Sequence, residues 1–125
     1  MPLFTTELNR IADDIGSADL TIYLHTSAPT NSNPANGRVS TGGGLYASGA
    51  RLNASDISDA SGGDIQNTSI IDFGTANANV GTVTHWSAYR GSTPIAYGSI
   101  PSTAIVAGDR FQINANSLRI LGSTS

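Results

Sequence analysis

The sequence predicts a mainly β protein: an antiparallel β-sandwich, jelly-roll or immunoglobulin-like, with about seven or eight short strands and one short N-terminal helix. Short runs rich in β-branched and aromatic residues recur from residue 20 onwards. Clusters of Gly, Ser, Asn, Asp and Pro separate these runs roughly every ten residues. The length of 125 residues favours a single domain covering residues 1–125.

Helical spacing of apolar residues predicts one helix, at about residues 5–15. The stripe consists of Leu8, Ile11, Ala12 and Ile15. Asp13 and Asp14 fall in the last turn, where carboxylates oppose the helix dipole, so they weaken the helix unless Arg10 or a partner offsets them. A helix this short is marginal alone. We therefore expect its stripe to pack against something, which makes Leu8, Ile11 and Ile15 candidate partner-binding residues.

The strands are predicted from alternation and from the turns between them. In residues 20–25 the even positions are apolar and the odd positions carry Thr21, Tyr23 and His25. A long loop or arm is expected at about residues 26–44, and another loop at 55–67. Further strands are predicted at 45–52, 69–73, 81–90, 95–100, 103–106, 110–113 and 117–121. Residues 81–90 are apolar on both faces, as in a central strand, and a hairpin turn follows at 91–94.

Two residue types are missing, and their absence excludes several chemistries. All six cations are arginines, so there is no Walker P-loop lysine and no Schiff-base lysine. Without cysteine there is no disulfide, thiolate nucleophile or Cys-ligated metal. A net charge of −3 argues against nucleic acid as a partner. No apolar run approaches the ~18 residues that span a bilayer, so no membrane partner is expected. No cofactor is predicted.

Histidine and serine offer the remaining routes to catalysis. His25 and His85 are the only histidines, and neither has a partner at a recognised metal-ligand spacing. We interpret both as histidines on a sheet face, hydrogen-bonded to a neighbour. No G-x-S-x-G motif occurs, although a fold can assemble a Ser/His/Asp triad from distant residues. The prediction is that the protein is not an enzyme.

One acidic loop and one aromatic cluster are candidate binding sites. Asp56, Asp59 and Asp64 lie on a Gly/Ser-rich loop and are suited to Ca²⁺, but the spacing is not that of an EF-hand. A solvated turn stabilised by Asx hydrogen bonds is the favoured interpretation. The aromatic cluster, near the predicted hairpin, consists of Trp86, Tyr89 and Tyr97. It could form a platform on which sugars stack, but buried cross-strand packing is favoured.

Several short motifs occur in an order that resembles a known family. They are the segments 22–29 (IYLHTSAP), 41–51 (TGGGLYASGAR), 81–89 (GTVTHWSAY), 95–100 (IAYGSI) and 106–113 (VAGDRFQI), the last leading to 118–121. This order resembles small virion proteins of tailed bacteriophages, described as head decoration, tail fibre or minor tail proteins. The resemblance covers nearly the whole chain and implies a non-catalytic β-sandwich subunit, assembled in the host cytoplasm, that is part of the virion.

The resemblance leaves head and tail open. A compact body without repeats or coiled coil favours a capsid decoration (cement) protein that binds the major capsid protein or other virion proteins. The alternative is a tail fibre or tail-tip module that binds a host receptor or glycan. The candidate contact residues are Leu8, Ile11, Ile15, Arg38, Trp86 and Tyr89. Few charges and no edge lysines predict a homo-oligomer, most simply a trimer.

Overall fold

Antiparallel strands dominate the described part of the chain. The computed structural model describes residues 5–15, 18–58, 64–115 and 117–121. In chain order the elements are α1 (Thr5–Ile15), β1 (Leu20–His25), α2 (Gly44–Ser48), β2 (Ala50–Leu52), a 3-10 turn (Ala54–Asp56), β3 (Asp64–Gln66), β4 (Ile71–Thr75), β5 (Gly81–Arg90), β6 (Thr93–Ile105), β7 (Arg110–Ile113) and β8 (Arg119–Leu121).

The strands form one four-stranded sheet and two short ladders. The sheet has the order β2-β1-β5-β6, and the ladders are β3-β8 and β4-β7. Every pairing is antiparallel. Leu20, Ile22 and Leu24 of β1 share one buried cluster with Ile65 of β3 and Phe73 of β4. The core therefore lies between the inner face of the sheet and the ladders, and the predicted mainly β, antiparallel sandwich is confirmed.

The strand predicted to be central is central. β5 lies between β1 and β6 and spans the predicted residues 81–90. On the inner face Trp86 is opposite Leu24 of β1 and Gly98 of β6. A Cβ atom built on Gly98 would lie 2.8 Å from Nε1 of Trp86. The indole therefore fills the space that a side chain at position 98 would occupy, and it is only 4% exposed.

Helix α1 occupies the predicted residues, and its acidic C-terminal turn is offset by β5. Nη2 of Arg90 donates hydrogen bonds to the carbonyl oxygens of Asp14 (2.6 Å) and Ile15 (2.9 Å). A cation at these carbonyls satisfies acceptors that the helix leaves open and interacts favourably with its dipole. Arg10 instead pairs with Glu7, one turn earlier. The hydrogen-bonded offset therefore comes from a residue distant in sequence, and Arg10 adds an electrostatic attraction to Asp14.

The predicted strand over residues 45–52 is wrong in its first half. Residues 44–48 form α2, and only Ala50–Leu52 is a strand. Gly42, Gly43 and Gly44 have φ values of +99°, +67° and +48°, which reverse the chain before it enters the helix. The buried Tyr46 hydroxyl then donates to the carbonyl of Gly74 (2.7 Å) and accepts from the amide of Phe111 (2.9 Å). These tertiary contacts override the local β pattern.

Three smaller strand predictions also need correction. The strands predicted at 95–100 and 103–106 are one edge strand, β6, in which Pro101 is tolerated because the other edge of β6 has no partner among the described strands. The predicted loop at 55–67 contains β3, which pairs with β8. The strand predicted at 69–73 lies two residues later, at Ile71–Thr75.

We predict that Gly98→Ala destabilises the fold by about 1–3 kcal/mol, because the new methyl group displaces the Trp86 indole in a packed core. The measurement is the free energy of unfolding in urea. The same substitution in a Trp86→Leu background should cost clearly less, since the two positions are in contact. Ser99→Ala, at the adjacent exposed position, should stay within about 0.5 kcal/mol of the parent. Equal costs in both backgrounds would contradict the steric explanation.

Candidate functional site

The outer face of the four-stranded sheet combines polar and aromatic side chains in cross-strand rows. One row contains Tyr23, Ser87 and Tyr97, and the next contains His25, His85 and Ser99. Residues directly opposite one another in antiparallel strands share a face. The Ser87 side chain is much smaller than the tyrosine side chains on either side of it. The surface of the sheet therefore has a depression at the centre of this row.

His25 connects this face to the long loop that follows β1. It is 0% exposed; Nδ1 lies 2.7 Å from the carbonyl oxygen of Asn36, and Nε2 lies 2.7 Å from Oγ of Ser87. A carbonyl can only accept, so Nδ1 carries the proton and donates to Asn36. Burial is the largest effect on His25 and lowers its pKa below the ordinary 6.5. In the neutral ring Nε2 accepts, and the Ser87 hydroxyl therefore donates to it.

Arg38, in the C-terminal part of the same loop, attaches the loop to the sheet. Its guanidinium carbon lies 4.0 Å from the ring centre of Tyr23 and 4.8 Å from that of Tyr89. The two rings meet edge to face, 5.2 Å apart. Stacking of a guanidinium on aromatic faces is favourable where water is excluded. The amide of Val39 also donates to the carbonyl of Leu24 (2.9 Å). The loop is therefore folded onto the sheet.

A cavity of about 460 Å³ opens between this loop and the β5–β6 hairpin. Its volume lies within the range of small-molecule sites. Ser87 belongs to its lining, and Tyr97, with 53% of its surface exposed, stands on the strand side. The loop contributes Pro29, Thr30, Asn31 and Pro34, and the hairpin contributes Pro94, Ile95, Ala96 and Tyr97. None of these lining residues carries a charge.

The aromatic platform, the less favoured alternative for Trp86, Tyr89 and Tyr97, does not form, because its members point in different directions. Trp86 lies on the inner face in the core, whereas Tyr97 is on the outer face. Tyr89 is 7% exposed. The favoured interpretation of buried packing is therefore confirmed for Trp86 and Tyr89, and neither ring is presented to a partner by the isolated chain. Only Tyr97 is available.

The other predicted contact residues are placed in different surroundings. Arg38 stacks on the protein's own tyrosines, as described above. Ile15 is half-buried against the core. The side chains of Leu8 and Ile11 lie outside the described part of the structure, so their role as contact residues stays a prediction.

The acidic loop is only partly described. Asp56 lies in the 3-10 turn, whereas Asp59 and the side chain of Asp64 lie outside the described residues. In the described part of the chain, no group of three or more His, Asp or Glu side chains could hold a metal ion. The Ca²⁺ alternative for Asp56, Asp59 and Asp64 therefore stays a prediction.

Both histidines are hydrogen-bonded on a sheet face, as predicted. His85 lies opposite His25, and its Nδ1 is 2.8 Å from Oγ1 of Thr84. Sequence reasoning missed Ser87 and the loop that covers it, because a lone serine in a strand carries no signal. The cross-strand register is the information that unites Ser87, His25 and Tyr97, and it exists only in the fold.

A comparison with protein families identifies the relationship of this chain. Residues 16–121 match the family described as Podophage GP4 fiber I protein gp80. The chain belongs to this family. The match extends across every strand of the described structure, and it confirms the resemblance to tailed-phage virion proteins, of the tail-fibre type. A search of curated proteins finds no match.

Because the chain belongs to this fibre family, it is a phage virion structural protein. The family description names a fibre component and no enzymatic activity. In the described residues, no helix is long and apolar enough to cross a membrane.

We predict that the fold loses stability as the pH falls below about 6.5, because His25 is buried in its neutral form. The unfolded chain binds the proton at the ordinary pKa near 6.5, whereas the folded chain binds it only at lower pH. The free energy of unfolding is therefore at its full value above about pH 6.5 and falls as the pH drops through the folded-state pKa. Urea unfolding at several pH values measures this slope.

His25→Gln is the test variant, and it should flatten the slope below about pH 6.5 even if it lowers stability overall. Ser99→Ala, at an exposed position of the same row that carries no titratable group, is the control and should retain the slope. Asp19 and Asp72, whose pKa values are lowered mainly by hydrogen bonds from Arg51 and Arg110, stabilise the fold above about pH 4 and lose this contribution only as the pH falls further. A His25 pKa at or above 6.5 in an NMR titration would show the interpretation to be wrong.

Proposed function

We propose that this protein is a structural subunit of a phage tail fibre and that it acts by binding rather than by catalysis. The single observation that carries the proposal is the fibre-family match over residues 16–121. This range includes all eight strands and the covered outer face of the sheet. The β scaffold, without α1, is thus what the chain shares with that family.

Capsid decoration was the first expectation from the sequence, and it rested on compactness and on the absence of repeats. A compact sandwich is equally suited to a module within a fibre. The family description names a fibre protein and not a head protein. The tail-fibre alternative is therefore the better supported of the two.

The pair formed by Ser87 and His25 supports binding over catalysis. Ser87 and His25 are within hydrogen-bonding distance, as in a serine hydrolase. However, His25 is fully buried, so its ring cannot transfer a proton to a substrate, although Ser87 belongs to the cavity lining with 3% of its surface exposed. The third group is the backbone carbonyl of Asn36, which cannot stabilise an imidazolium as a carboxylate does. The pair is suited to fixing a hydroxyl in place.

We predict that the protein is found on the tail and in far fewer copies than the major capsid protein. Gold-labelled antibodies locate it on intact virions, and quantified virion peptides give its copy number. An antibody to the major capsid protein is the positive control for the head. Label distributed over the head, at copy numbers comparable to those of the shell protein, would support decoration and contradict the fibre proposal.

We also propose that the chain assembles as a homo-oligomer through the open edge of β6. This strand is 13 residues long and contains no charged residue. Among the described strands it bonds only to β5. Natural edge strands are commonly protected by charges, especially lysine, and β6 has only Pro94 and Pro101. The segment between these prolines is the part open to pairing with another chain.

The symmetry of the oligomer determines what this edge contacts. Two β6 edges that pair with each other close a dimer, because such a contact is self-complementary. A trimer requires the β6 edge of one copy to meet a different surface of the next copy. The trimer expected from the sequence therefore implies a contact between β6 and another element.

We predict that Ser99→Lys weakens this assembly at least roughly tenfold, because it places a positive charge in the middle of the open edge of every copy. Light scattering over a range of concentrations measures the mass. Ser55→Lys, at an exposed serine in the 3-10 turn, adds the same charge away from β6 and should leave the oligomer intact. A parent protein that is monomeric at high concentration, or a variant that assembles normally, would refute the edge contact.

A further inference from the structure

The cavity on the outer face has walls of two chemical kinds. Prolines and Ile95 give it apolar surface, and Tyr97 adds an exposed aromatic ring. Thr30 and Asn31 place hydroxyl and amide groups at its loop side. A ligand that matches this lining has an apolar face and several hydrogen-bonding groups at its edge.

Ser87 determines which group donates and which accepts in a hydrogen bond between the sheet and a ligand in the cavity. Its only hydroxyl proton is directed to Nε2 of His25, 2.7 Å away. The lone pairs of Oγ remain, so Ser87 can accept a hydrogen bond from a ligand but cannot donate one. A serine that already donates is also a stronger acceptor, because hydrogen bonds in a chain polarise one another. The ligand must therefore supply an O–H or N–H group here.

The charge of the lining selects against ions. None of the lining residues carries a charge, and the chain as a whole has a net charge of −3. An ionised ligand would lose hydration and gain no opposite charge in exchange. A neutral ligand does not have this cost.

We propose that this cavity binds a neutral saccharide, with one face of a sugar ring against Tyr97 and a sugar hydroxyl donating to Ser87. Aromatic faces are electronegative and attract the polarised C–H groups of a sugar face. The volume of about 460 Å³ accommodates roughly one or two sugar rings. The inference rests on the proposed function as a tail-fibre subunit, since it names the class of ligand that such a subunit would contact.

The test is a titration of the full-length, ¹⁵N-labelled protein with methyl glycosides of glucose, galactose, mannose and N-acetylglucosamine. At least one glycoside should shift the amide signals of residues 29–34, 87 and 94–97 in a saturable manner. Glucuronate, the charged analogue, should bind at least tenfold more weakly than the corresponding neutral sugar. Tetrahydropyran, which has the ring without the hydroxyls, should not bind detectably.

Matched variants connect the binding to the cavity. Tyr97→Ala should weaken the best glycoside at least tenfold, whereas Tyr97→Phe, which keeps the ring, should stay within about threefold of the parent. Asn31→Ala should weaken binding severalfold. Asn53→Ala, at an exposed asparagine that makes no side-chain capping bond, should leave it unchanged. Unchanged thermal unfolding of each variant confirms that it is folded.

Three results would overturn the saccharide proposal: no glycoside binds, tetrahydropyran binds as well as a sugar, or binding survives Tyr97→Ala. Each of these leaves the location of the protein on the virion unaffected. Conversely, head labelling in the localisation experiment would contradict the fibre proposal even if a sugar binds in the cavity. The two proposals therefore fail independently.

Discussion

The outer face of this protein depends on one buried histidine. His25 ends β1, and its two ring nitrogens bond to the loop at Asn36 and to the sheet at Ser87. Removing one partner of a buried hydrogen bond costs about 1–3 kcal/mol because the other partner stays unsatisfied. The loop that forms one side of the cavity is therefore held by the same ring that fixes the Ser87 hydroxyl. The shape of the cavity and its hydrogen-bonding polarity thus have a common origin.

Arginine carries out several structural tasks that a lysine would serve less well. Arg38 stacks on two tyrosine rings, and Arg90 reaches two carbonyl oxygens at the end of α1 with one nitrogen. Arg51 and Arg110 pair with carboxylates on neighbouring segments. A planar, weakly hydrated guanidinium is suited to stacking and to multiple acceptors. The absence of lysine is consistent with these tasks, since the described arginine contacts mostly join elements that are distant in sequence.

Local patterns predicted the parts of the fold whose causes are local. Apolar spacing gave the bounds of α1, and alternation gave β1 and the central strand β5. The prediction failed at residues 44–48, where Tyr46 gains hydrogen bonds from β4 and β7 that no local pattern contains. It also divided β6 at Pro101, because a proline marks a break unless the strand is known to be at an edge.

The distinction between local and tertiary causes also explains which features of the candidate site the sequence predicts. Alternation placed His25 on the face opposite Leu24, which correctly separates outer from inner residues, yet it implied an exposed side chain. The loop buries that face, and a loop of eighteen or so irregular residues leaves its path unspecified by sequence pattern. Trp86 and Tyr97 both lie near the predicted hairpin, but the register pairs Trp86 with Gly98, so the two rings lie on opposite faces of the sheet. The cross-strand register decides which residues meet.

The uncharged lining of the cavity and the uncharged edge of β6 have a shared physical consequence. Neither surface attracts a partner over long distances, since electrostatic steering requires charge. A sugar-sized ligand in an open cavity also makes few contacts, so a single site binds weakly. Several identical subunits held together raise the effective concentration of the second and later contacts, and this can exceed the affinity of one site by about 10²–10⁴. On physical grounds, a charge-poor subunit of this kind gains its binding strength by assembling with copies of itself.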